Sequence, residues 1–111
     1  MPHFLCKLKP PRATFLTDMT PEEALVMRGH REYWMPRVEI GVVVAMGPVA
    51  DPSGGYGIAI IEAPSLAALE AMQASDPTIA SGRGFAYENL LMPMIAVRPS
   101  MPLAPIHSVT P

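Results

Sequence analysis

Few residues in this chain could move a proton, and His30 is the best placed of them. It stands in MRGHREYW (27–34), among apolar and aromatic neighbours in a segment that reads as helix. Residues three and four apart share a helix face, so His30 lies with Val26, Met27, Tyr33, Trp34, Arg37 and Val38. Arg28, Arg31, Glu32, Met35 and Glu39 take the opposite face, where solvent belongs. An imidazole on the inward stripe has two readings. One is a core group satisfied by a backbone carbonyl or a tyrosine hydroxyl. The other is a ring at a pocket edge, titrating near neutrality and suited to general acid–base work. Its possible carboxylate partners are Asp51, in a glycine-rich turn, and Asp76, at the end of a second helix. Each also has a structural reading. Asp51-Pro52 is ordinary turn chemistry, and Asp76-Pro77 suits the N-cap and first position of a further helical turn. Phe15, Trp34 and Phe85 could wall a pocket or simply pack. Arg12 could hold an anionic substituent through a charge-assisted bond.

Other chemistries find little support. His3, His30 and His107 are far apart and lack the spacing of common zinc sites, so no metal is expected. SGGYG matches no phosphate-cradling loop, having neither GxGxxG nor a following lysine, and no organic cofactor is expected. Cys6, the only cysteine, falls in HFLCKLK and reads as an inert buried thiol. The nine methionines suit core and tail positions. With a net charge of −2 and eight basic residues scattered along the chain, there is no phosphate-tracking stripe, and nucleic acid is not an expected partner. The opening residues carry no long apolar stretch after a basic region. Neither a signal peptide nor a membrane span is therefore expected, and the setting reads as cytoplasmic.

The elements that must position these groups can be read in order. At 111 residues, 50% hydrophobic and 16% charged, the chain suits one globular domain with a true core. HFLCKLK (3–9) alternates as a strand with Phe4, Cys6 and Leu8 inward, and Pro10-Pro11 ends it. RATFLTDM, with Phe15-Leu16, is apolar enough for a loop that folds over something. Thr20-Pro21-Glu22-Glu23 is a capping box with proline at N1, opening a helix that runs to about Ile40, where Gly41 can close it. Pro36 should kink that helix or leave Met35 as its last regular residue. Strands follow at 42–48 and 57–63 around the turn ADPSGGYG, and Ser65 can cap LAALEAMQAS. TIASGRGF reads as a short helical turn or loop, and 86–99 as a last strand in which Pro93 implies an edge or a bulge. Residues 1–98 are expected to form the domain, and 99–111 a proline-rich tail that is extended or poorly ordered.

The order β-α-β-β-α-β folds, with right-handed crossovers, into a ferredoxin-like α+β domain: a four-stranded antiparallel sheet with both helices on one face. The strands are apolar nearly throughout, which calls for cover on the second face as well. A second copy is the simplest cover, so a homodimer closing into an α/β barrel is expected.

GHREYW, MGPVADPSGGYG and ASDP in one chain, with KPPRATFLTDMTPEE before them and GxGFAYE after, resemble the YCII-related family over about residues 2–98. The resemblance implies a dimeric α/β barrel of ferredoxin-like protomers. It also implies a histidine–aspartate active site, matched here by His30 and Asp76. Pro36 and the tail depart from the family's usual pattern. The resemblance names no reaction. The equipment suits a cofactor-independent acid–base enzyme of isomerase, lyase or dehalogenase type, acting on a small cyclic or carbonyl-containing acid. The competing reading is a non-catalytic module that binds a small molecule or dimerises.

Overall fold

The computed structural model describes residues 1–99. The proline-rich tail lies outside the described residues, apart from Pro99. Strand β1 (His3–Lys9) buries Phe4, Cys6 and Leu8 on one face. After Pro10-Pro11 the chain turns through a short helix α1 (Phe15–Asp18) into helix α2 (Pro21–Glu39). Strands β2 (Val43–Val49) and β3 (Tyr56–Glu62) precede helix α3 (Leu66–Ala74), the single-turn helix α4 (Pro77–Ala80) and strand β4 (Ala86–Met92). The sheet order is β2-β3-β1-β4 with every pairing antiparallel, the ferredoxin-like arrangement.

Local chemistry explains most boundaries. Thr20 Oγ1 accepts from the Glu23 amide at 3.2 Å and Glu23 Oε1 from the Thr20 amide at 2.9 Å, so the capping box is formed in both directions. Ser65 caps α3 by accepting from the Ala68 amide. Two expectations need correction. Helix α2 does not stop at Met35 but continues through Pro36 to Glu39. Pro36 sits in the last turn on the exposed side, so the only bond it removes is the one its own N–H would give Glu32, and the Ile40 amide still reaches Pro36 O at 3.2 Å. Strand β4 ends at Met92 rather than near residue 99, because Pro93 has no N–H to extend the ladder at this sheet edge.

One sheet face meets the helices. Phe4, Cys6, Ala59 and Ile61 pack with Trp34 of α2 and Leu69 of α3. Full burial of a side chain the size of Leu or Phe is worth about 1.5–3 kcal/mol, and these anchors tie both long helices to the sheet. A register shift between Val43 and Ala45 places an extra residue in β2. Without it Val43 and Met46, three apart, would face opposite ways; with it both pack on the helix side. On the other face, Leu5, Ile58 and Ile60 are half-buried and Leu90 is 55% exposed, flanked by the pairs His3–Glu62 and Lys9–Glu88.

Candidate active site

Helix α2 turns His30 toward α4, and the approach is close because position 29 is glycine. A Cβ there would stand 3.2 Å from Pro77 Cγ. His30 Nδ1 lies 2.8 Å from Asp76 Oδ2. The same oxygen accepts from Trp34 Nε1 at 2.7 Å and from the Tyr87 hydroxyl at 2.5 Å. Asp76 Oδ1 accepts from the Thr78 amide at 2.9 Å, so the residue is at once the N-cap of α4 and the partner of His30. Its side chain is fully buried, while that of His30 keeps 12% of its surface exposed.

The electrostatics follow from that donor set. Burial alone would raise the Asp76 carboxyl, but bonds from His30, Trp34 and Tyr87 outweigh it and hold the group well below the usual carboxylate range. The carboxylate is therefore ionised and can only accept, so Nδ1 of a neutral His30 carries the proton and Nε2 carries the lone pair. Tyr87 moves the other way. Burial and its bond to Asp76 push the phenol well above its ordinary value and keep it a donor. Cys6, beneath the same cluster, is driven by burial up to about 11 and stays a thiol.

His30 and Trp34 border a cavity of about 860 Å³ between α2 and the helix-facing side of the sheet. Phe15 and Phe85 also line it, packed edge-to-face with centroids 5.2 Å apart. Of the residues singled out in the sequence, the structure thus brings together His30, Asp76, Phe15, Trp34 and Phe85. It does not bring in the other two. Arg12 forks onto Glu23 with bonds of 2.7 and 2.8 Å and reaches the Asp18 carboxylate at 2.7 Å, fastening the loop to the start of α2. Those bonds draw Glu23 down to about 2. Asp51 accepts from the Ser53 amide and hydroxyl, a turn-forming role that its proline and glycine neighbours announce, and it does not line the cavity.

Sequence reasoning missed Tyr87, and it took Trp34 for a wall without its indole bond. The alternation of β4 held a partial signal: Tyr87 pairs with Leu8, already assigned inward, and so must face the helices. Among the described residues no three histidine, cysteine or acidic side chains gather to hold a metal, and no helix is long and apolar enough to cross a membrane.

The YCII-related domain model matches residues 3–92, spanning every strand and helix described above. The chain belongs to the YCII-related family. A comparison with curated proteins found no match. Membership in the YCII-related family names no reaction.

Proposed function

We propose that this YCII-related protein is a cofactor-independent acid–base enzyme, with His30 as the proton-transferring group. The observation that carries the reading is the ring's environment. Nδ1 is held on a buried, ionised aspartate, and among the described residues no protein group bonds Nε2 of a ring that lines a cavity. A base so oriented can take a proton from carbon beside a carbonyl. The C–H electron pair passes into an enolate, and Asp76 stabilises the imidazolium that forms. Returning the proton to another carbon completes an isomerisation, and expelling a leaving group completes an elimination. The aromatic lining from Phe15, Trp34 and Phe85 suits a small cyclic acid or phenol.

In this reading the protein works as a cytoplasmic homodimer, consistent with a free, buried Cys6. The partner would cover the sheet face that carries Leu5, Ile58, Ile60 and Leu90. The test needs no prior substrate. A panel of cyclic keto acids and phenols is incubated in deuterium oxide, and C–H exchange is followed by proton NMR. Exchange that is catalysed by the native protein and falls by about 10²- to 10⁴-fold in His30→Ala supports the reading. Exchange of equal rate in that variant, or none with any member, leaves only the binding or dimerisation module.

A further inference from the structure

The cavity beside His30 is lined by one imidazole and one guanidinium and by no acid. Among the residues that border it, Arg31 is the one permanent charge, and no aspartate or glutamate joins them. Asp76 stands behind His30, with its Oδ2 already taken by three donors and its Oδ1 by the Thr78 amide. The arginines nearby are committed elsewhere. Arg28 pairs with Glu32 at 3.3 Å, Arg12 is clamped between Glu23 and Asp18, and Arg37 stacks 4.0 Å from the Tyr33 ring centroid while donating to Tyr33 O. Arg31 has no acid partner and no side-chain hydrogen bond among the described residues. Sequence spacing assigned it to the solvent face, since neighbouring residues on a helix diverge by about 100°. It is nevertheless among the residues that line the cavity His30 borders. The rest of the lining includes Met27, Met35 and Met46 and the aromatic pair Phe15–Phe85.

We propose that Arg31 is the anion anchor of this cavity, binding the acid group of a small ring-bearing substrate so that the ring lies against the methionine and aromatic walls beside His30. The inference rests on the cavity being the substrate site of the acid–base reading and narrows its substrate to anionic compounds. Arg31 takes the role that residue type and position suggested for Arg12. A guanidinium can meet a carboxylate with two parallel bonds, and a positive cavity without a competing acid leaves that anion its natural occupant.

Benzoate and its uncharged isostere benzamide separate charge from shape. Binding to the native protein is read by titration at about pH 8, where benzoate is fully ionised. The fluorescence and indole NMR signal of Trp34, the only tryptophan and a residue lining the cavity, report occupancy. The expected result is preference for benzoate over benzamide. Arg31→Ala should weaken benzoate by at least about tenfold and leave benzamide unchanged, with Arg31→Lys intermediate. His30→Gln should keep the preference. Equal affinity of Arg31→Ala and native protein for benzoate overturns the inference. So does an absence of benzoate binding, or a preference that vanishes in His30→Gln, which would make the imidazole the anchor. Arg31 is exposed, so an unchanged melting temperature in Arg31→Ala verifies its fold. Binding is measured without turnover. A failure here therefore leaves the exchange test of His30 standing, and a failed exchange test leaves the anion site standing.

Discussion

Replacing Asp76 by asparagine keeps the side chain's shape and removes its charge, which isolates what the carboxylate contributes. Oδ2 accepts from His30 Nδ1, Trp34 Nε1 and the Tyr87 hydroxyl, and Oδ1 accepts from the Thr78 amide. An asparagine must present its carbonyl to one set of donors and its NH₂ to the other. Facing the carbonyl toward the three side chains is the cheaper choice, and the NH₂ then opposes the Thr78 N–H. The α4 cap is lost, at about 1 kcal/mol. Three charge-assisted bonds become neutral ones, each weaker by about 1 kcal/mol. The sum is about 3–5 kcal/mol, the range measured when a buried ion pair loses one partner. For a domain of this size, with roughly 5–15 kcal/mol in total, the melting temperature should fall by about 10–20 °C. Urea unfolding followed by Trp34 fluorescence measures the first effect. The second is chemical: a neutral carbonyl holds the Nδ1–H of His30 less firmly than a carboxylate and no longer stabilises its imidazolium, so ¹⁵N NMR of the ring should show the Nδ1–H tautomer less populated. C–H exchange should fall by about 10²- to 10⁴-fold, as for loss of a base. A variant within about 1 kcal/mol of the native protein, with the Nδ1–H tautomer intact, would refute the assignment of Asp76 as the charged hub.

Tyr87→Phe removes one donor to Asp76 while His30 and Trp34 still hold it; stability should drop by about 1 kcal/mol, and exchange should slow by less than about tenfold. A loss beyond about a hundredfold, measured by the same exchange assay, would make the phenol a reacting group. Gly29→Val should cost about 1–3 kcal/mol in urea unfolding, because its Cβ meets Pro77 Cβ and Cγ at 3.2–3.3 Å. By pushing α4 away it should also weaken the Nδ1–H signal of His30 in NMR. Acid stability has a defined sign, since both Asp76 and Glu23 are depressed in the folded state. Their contributions are complete above the ordinary values near 3.8 and 4.5 and are lost as pH falls, for Glu23 between about 4.5 and 2. Urea midpoints across that window should therefore fall steeply for the native protein and less steeply for Glu23→Gln.

Elements whose cause is local were readable in the sequence. The capping box at Thr20, the cap at Ser65 and the alternation of β1 depend on residues within three or four positions of one another, and each forms. Pro36 shows where local rules overreach. The penalty for an interior proline assumes a buried or mid-helix carbonyl left without a donor. Here the loss falls on an exposed last turn, so α2 absorbs it and runs on to Glu39. The bulge in β2 left no mark in VVVAMGP, because a run of β-branched and small apolar residues fits either register and only the partner strand decides.

From spacing the site was legible in type and not in partnership, which only the family resemblance pointed to, for a physical reason that Asp76 itself supplies. Asp76-Pro77 announces a helix cap, and the cap is present, made by Oδ1 alone. A carboxylate has two oxygens with about four lone-pair positions, so satisfying a local cap leaves half the group free for distant donors. Those donors come from residues 34, 30 and 87, on α2 and β4, and no spacing rule links them across 42, 46 and 11 positions. The structural and the chemical readings of Asp76 were never alternatives. The cap fixes the carboxylate's position, and the fixed carboxylate sets the tautomer of His30. Stability and proton transfer should then fall together in Asp76→Asn. In His30→Ala, which spares the cap and the Trp34 and Tyr87 bonds, they should separate, with exchange lost and α4 still in place.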